Sequence, residues 1–260
     1  MHRLALIIAL LASLGTAYAN DTLYAVVEYG SAGNPLIPID STSEATLNGT
    51  LLAWQKCSRI RALDIQFRPL DLRLEEVEEP EALLGQVLLH FGALNVKTRA
   101  YPWLVWCGVD APQSVRARAA THAEVDLAKL RKEARLTARR VIHLSPERSK
   151  EVWALGPTTA RVVEEQMLVS NTTIRFKSGD NRGYVFQVVD LKQQRMLWQA
   201  FGHPEWSPGV EGIREVSAKM FFRLPKSTEV LMLGNSGSGW ESTAFAIYKL
   251  RDGSVFALSP

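Results

Sequence analysis

Cysteine and histidine are scarce in this chain, and their scarcity removes whole classes of chemistry. Its two cysteines, Cys57 and Cys107, each lack a close second cysteine, so neither finger-type zinc spacing nor a C-x-x-C redox pair is present. Beyond residue 19 only His90, His122, His143 and His203 occur, and no H-E-x-x-H pattern joins them. His122, Glu124 and Asp126 cluster in sequence, but a helix would bring only His122 and Asp126 to one face. No metal and no cofactor is therefore expected. Charge of one sign is also lacking: the net charge is +3, too small an excess to argue for nucleic acid. Beyond the N-terminus no apolar run approaches the ~20 residues of a membrane-spanning helix, so no membrane span is expected there.

The first nineteen residues carry the clearest positive signal. His2 and Arg3 precede an almost wholly apolar run, Leu4 to Leu14, and Ala17 and Ala19 set small residues at the −3 and −1 positions before Asn20. This is the pattern of a cleavable secretory signal, with cleavage between Ala19 and Asn20 and a periplasmic or secreted mature chain. No cysteine follows the apolar run to accept a lipid. In an oxidising compartment the simplest use of one cysteine pair is a Cys57–Cys107 disulfide; the alternative is two separate buried thiols. The bridge would close a loop of 51 residues. Chain entropy assigns a loop of that length about 4 kcal/mol.

With 47% hydrophobic and 22% charged residues, the chain can bury an ordinary core in one large domain or two small ones. Thr22 to Tyr29 reads as a strand, followed by a Gly-, Pro-, Ser- and Thr-rich loop to Thr46. Leu51 to Leu63 suits helix or strand. Ile65 to Leu74 alternates around Pro69, the pattern of an edge strand. The stretch after Pro80 suits a short helix or, at Val87-Leu88-Leu89, a buried strand, and Tyr101 to Val109 reads as a buried strand. Ser114 to His143 has no Gly or Pro and many helix formers, which predicts a long helix; Pro146 to Leu155 predicts a short one. Strands follow from Thr158 onward, with a further helix over Gly209 to Phe222. The expected fold is α+β: mainly antiparallel β-sheet with a long helix packed against it and a β-rich C-terminal half. The expected organisation is a signal at 1–19, an α+β region at 20–157 and a hairpin-rich region at 158–260, the last two separate or continuous.

Phe186 to Leu197 aligns with Phe245 to Phe256 as strand, polar turn and strand. The pair resembles the hairpins of β-propeller blades, but too few further copies exist to close a propeller, so two independent hairpins are the simpler reading. Three sequons, at Asn20, Asn48 and Asn171, would accept glycans only in a eukaryotic secretory path.

Gly234-Asn235-Ser236-Gly237-Ser238-Gly239 resembles the stretch around the nucleophile of chymotrypsin-like serine proteases, where glycine-rich backbone aims N–H groups at an oxyanion. That resemblance implies a serine hydrolase using Ser236, with His203 a candidate base. It covers six residues, has Gly239 where proline is usual, and lacks the small-residue run ending in His-Cys that carries the family's base. The same hexapeptide also reads as a hairpin loop. Seven tryptophans are present. Trp54, Trp103 and Trp106 suit a core, whereas Trp206 and Trp240 sit in loop-like stretches where an exposed ring could stack on sugars or anchor a protein. Charges are segregated: Asp71 to Glu81 holds six acidic residues against Arg73, and Leu127 to Val141 six basic residues against Glu133. Such blocks form solvated faces or steer charged partners. The composite expectation is a non-catalytic, exported binding protein, of inhibitor, immunity or envelope-accessory type. Its partner is another protein or a cell-envelope polymer. Candidate contacts are Trp206, Asn235, Ser236, Trp240, Arg131, Arg135 and Arg139.

Overall fold

A computed structural model describes residues 17–19, 22–29, 35–40, 51–78, 86–94, 103–144, 149–177, 182–202, 215–237 and 245–258. The apolar leader, His203, Trp206, Trp240 and Asn48 lie outside them. The chain divides into two compact units, Met1–Pro112 with Phe245–Ile247 and Val255–Pro260, and Gln113–Ala244 with Tyr248–Ser254. Among the described residues, no helix is long and apolar enough to cross a membrane.

The first unit is a closed antiparallel ring. β2 (Thr22–Tyr29), β3 (Pro35–Asp40), β6 (Gln86–Leu94), β5 (Pro69–Glu78), β4 (Ile60–Leu63) and β7 (Trp103–Cys107) are neighbours in that order, and β7 pairs back onto β2. β1 (Ala17–Ala19) pairs only with Thr22–Tyr24 of β2, so ring closure does not depend on it. Alternation selects the interior: Leu23 and Ala25, Ile60 and Ala62, Leu72, Leu89 and Phe91, Trp103 and Val105 share one buried cluster. Small Ala25 and Ala62 leave room for Trp103 and for Trp54, which enters from a short helix α1 (51–55) and meets Phe91 edge-on at 6.2 Å. Trp54, Trp103 and Trp106 are all fully buried.

Pro69 does not mark an edge: β5 lies between β4 and β6, and the proline is tolerated because it is the strand's first residue. The preceding turn is organised by buried Asp64, whose carboxylate accepts from the N–H groups of Gln66 and Arg68, both at 2.9 Å, and from Arg68 Nε at 2.6 Å. Residues 86–94 are strand rather than helix. Cys57 and Cys107 form a disulfide with Cα atoms 5.8 Å apart, at the rim where Cys107 lies opposite Ile60.

The second unit contains an antiparallel sheet of β9 (Ala117–Ala119), β10 (Trp153–Val163), β11 (Met167–Phe176), β12 (Arg182–Asp190) and β13 (Arg195–Gly202). β8 (Gln113–Ser114) and β15 (Leu231–Gly237) flank β14 (Glu215–Arg223) in a second sheet. β16 (Phe245–Lys249) and β17 (Val255–Leu258) form a hairpin whose residues divide between the units. The architecture is broadly α+β and rich in antiparallel strand.

Several local expectations fail here for identifiable reasons. The long helix α2 spans Leu127–Leu144, not Ser114 to His143. Asp126 stops it from starting earlier, because its side chain caps Lys129 N at 2.9 Å. Residues 117–119 instead pair with Arg161–Val163, so sheet pairing overrides helix propensity. Trp153 to Leu155 open β10 rather than end a helix, and the texture change at 157–158 falls inside that strand, where register shifts between Leu155 and Thr158. Glu215 to Phe222 is strand, with Met220, Phe221 and Phe222 buried in succession, as in a strand covered on both faces.

The two similar segments do form hairpins, turning after Asp190 and after Lys249. Trp198 ties them together within this unit. Its indole N–H donates to Leu250 O at 2.8 Å, and its ring stacks with Tyr248 at 6.2 Å and lies 5.1 Å from Phe186. Gly253 is required beside that ring: its φ is 71°, and a Cβ would fall 2.6 Å from Trp198 Cδ2. Asn171 sits mid-strand, paired with Phe186 and Thr159, with its side-chain oxygen buried.

Candidate functional site

Helix α2 separates its residues by period. Leu130, Ala134, Thr137, Ala138, Val141 and Ile142 are buried, and four of them share an apolar cluster with Ile174, Phe176, Val185 and Phe201. Arg131, Arg135, Arg139 and His143 recur every fourth residue along the flank of that stripe. Four residues of helix rise about 6 Å, so these side chains form a graded row of cations and one imidazole.

The row is not uniform. Arg131 is turned inward: its guanidinium donates to Gly156 O at 2.7 Å and to Thr158 Oγ1 at 3.2 Å. Thr158 in turn meets Thr172 Oγ1 at 3.0 Å. Arg131 thus anchors the helix to the irregular stretch of β10 and is not a free contact. Arg135, Arg139 and His143 carry on the row and, with Trp153 and Ala154, line a depression of about 480 Å³. All three are exposed. Among the described residues neither arginine has an ion-pair partner. Trp153 is half-buried, with part of its indole on the core cluster and part facing the depression.

The opposite end of α2 is different in kind. Leu130, Leu168, Val189, Leu191 and Met196 floor a smaller pit of about 250 Å³. Several charges near it are engaged: Asp126 caps the helix, and Lys129 Nζ donates to Gln194 O at 3.2 Å. Glu124 is bound by Arg118, at 2.5 Å and 2.9 Å through its two oxygens, and by the N–H and hydroxyl of Thr121. The Arg118 guanidinium, with Thr121, holds the Glu124 carboxyl far below the usual carboxylate range. Arg118 likewise lowers Glu165, and the two carboxylates raise Arg118 itself. This triad fastens the Thr121–Glu124 turn to the β10–β11 hairpin. His122, beside it, is exposed.

The acidic block is partly satisfied in the barrel unit, where Asp71 lies 3.7 Å from Arg59 and 3.6 Å from Arg61. Of the expected contacts, Arg135 and Arg139 come together and Arg131 is diverted. Asn235 and Ser236 lie within β15, opposite Ser217 and Val216, so 234–237 is strand rather than hairpin loop. Trp206, Trp240 and His203 fall outside the described residues. His143 and Trp153 are additions. The first was legible as the next i+4 position after Arg139; the second is brought in only by the pairing of Trp153 with Phe176.

No family model, no curated protein and no solved structure matches this chain.

Proposed function

We propose that this is an exported, non-catalytic binding protein whose cationic helix face takes an anionic macromolecule, a cell-envelope polymer or an acidic protein. The carrying observation is that Arg135 and Arg139, exposed and without an ion-pair partner among the described residues, stand beside His143 in a shaped depression. Surface cations held near opposite charge do little for a partner, whereas unpaired ones on a rigid helix retain their full field. Export is supported by the leader pattern before Asn20 and by the Cys57–Cys107 bridge, which suits an oxidising compartment.

The test is retention of the mature chain on an immobilised polyanion across a salt gradient. Arg135→Glu with Arg139→Glu should elute at clearly lower salt than the parent while circular dichroism stays unchanged. Equal retention of parent and double variant would refute the reading. A fluorophosphonate probe checks the hydrolase alternative: covalent labelling lost in Ser236→Ala would favour catalysis by Ser236 with His203 as base.

A further inference from the structure

We infer that the depression beside α2 is a subsite for one acidic sugar unit of a uronate-type polysaccharide. The inference rests on the binding role proposed above and narrows its ligand. Three observations carry it. The volume, about 480 Å³, suits a single ring with its substituents rather than a folded protein surface. Two guanidinium groups, Arg135 and Arg139, offer the planar fork that matches a carboxylate with two parallel N–H donors. Trp153 adds an aromatic surface, and Ala154, exposed and small, leaves the space beside it open. A pyranose ring presents C–H groups that pack on an indole while its carboxylate projects from the ring edge.

This combination separates the candidates. A purely electrostatic partner such as an acidic peptide would use the arginines and gain little from the indole. A nucleic acid would demand a longer track of cations than Arg135, Arg139 and His143 supply, since its affinity comes from many phosphate contacts. Successive members of the row, four residues apart, advance by about 6 Å along the helix. His143 lines the same depression and would meet a hydroxyl of that sugar unit. No bond is made or broken.

The experiment is calorimetric titration of the mature, disulfide-bonded chain with four probes. These are an oligogalacturonate, the neutral galactan oligomer of the same length, oligoglutamate and a single-stranded oligonucleotide. The oligogalacturonate should bind at least tenfold more tightly than the others, and the neutral oligomer should not bind measurably. Trp153→Leu keeps an apolar contact with the core but removes the ring. It should weaken oligogalacturonate about tenfold and leave oligoglutamate unchanged, with thermal unfolding confirming an intact fold. Equal or tighter binding of oligoglutamate or oligonucleotide, indifferent to Trp153→Leu but lost in the Arg135→Glu, Arg139→Glu variant, would overturn the sugar subsite and leave the polyanion-binding role standing. Absence of binding by any probe would overturn both.

Discussion

The two units of this protein solve the problem of exposed strand edges in opposite ways. The barrel unit closes on itself: β7 returns to β2, and no strand in the ring of six is left with an open edge. Its one described buried polar side chain, Asp64, is held in a turn, and a disulfide clamps its rim. The second unit keeps open sheets and sets the buried stripe of α2 in apolar clusters with one of them. Its core is less uniform, since Ser170, Thr172 and Gln187 are almost wholly buried between the two clusters. An open sheet with an amphipathic helix leaves Arg135 and Arg139 exposed on the helix's flank, without an ion-pair partner among the described residues.

This contrast can be broken experimentally, beginning where the effect is largest. Replacing Cys57 and Cys107 by Ser should cost about 4 kcal/mol on the chain-entropy estimate. Hydrogen exchange should rise in β4 and β7 while β11 and β12 keep their protection. Uniform loss of protection would show that the units unfold as one. Gly253→Ala should cost about 2 kcal/mol, because it combines an unfavourable backbone conformation with displacement of the Trp198 ring. Its effect should appear in the β12–β13 hairpin and spare the disulfide-bonded rim.

Gln187→Leu probes the mixed core. Gln187 is fully buried, Ser170 Oγ reaches only its oxygen at 3.3 Å, and its Nε2 has no partner among the described residues. Removing an unsatisfied buried donor should be neutral or stabilise by about 1 kcal/mol. A loss greater than that, read from urea unfolding followed by exchange in β12, would mean the amide is satisfied by internal water.

The smallest effect is acid sensitivity confined to the second unit. Glu124 and Glu165 are held below their unfolded value of 4.5 by Arg118. A depressed carboxylate contributes stability that is present above about pH 4.5 and lost as pH falls from there toward the folded values. Glu165 is exposed and Glu124 and Arg118 are half-buried, so salt should shrink the effect. Urea midpoints measured from pH 7 to pH 3 should fall less steeply for Arg118→Ala than for the parent. Parallel curves would remove the triad from the account.

Local chemistry was legible where a residue's role depended on near neighbours. Thr22 to Tyr29 and Trp103 to Cys107 are rich enough in aromatic and β-branched residues to declare themselves as strands, and one cysteine pair leaves one possible bridge. The long helix was visible, but its start was not. Residues 117–119 carry helix-forming side chains and are held extended by partners more than forty positions away, at Arg161–Val163. Glu215 to Phe222 failed for the same reason: its spacing allows a helical stripe, and only its pairing with β15 decides for strand.

The candidate site divides along the same line. Sequence alone determined that Arg131, Arg135 and Arg139 recur at helical spacing, since i+4 periodicity is a property of the local chain. Tertiary structure decided which of them remain available. Arg131 is spent on the carbonyl of Gly156, twenty-five positions ahead, while Trp153 is carried to the free end of the row by its strand. Ring closure of the barrel was equally invisible in sequence, because pairing β2 with β7 joins segments some eighty residues apart, and only the assembled backbone can bring them together.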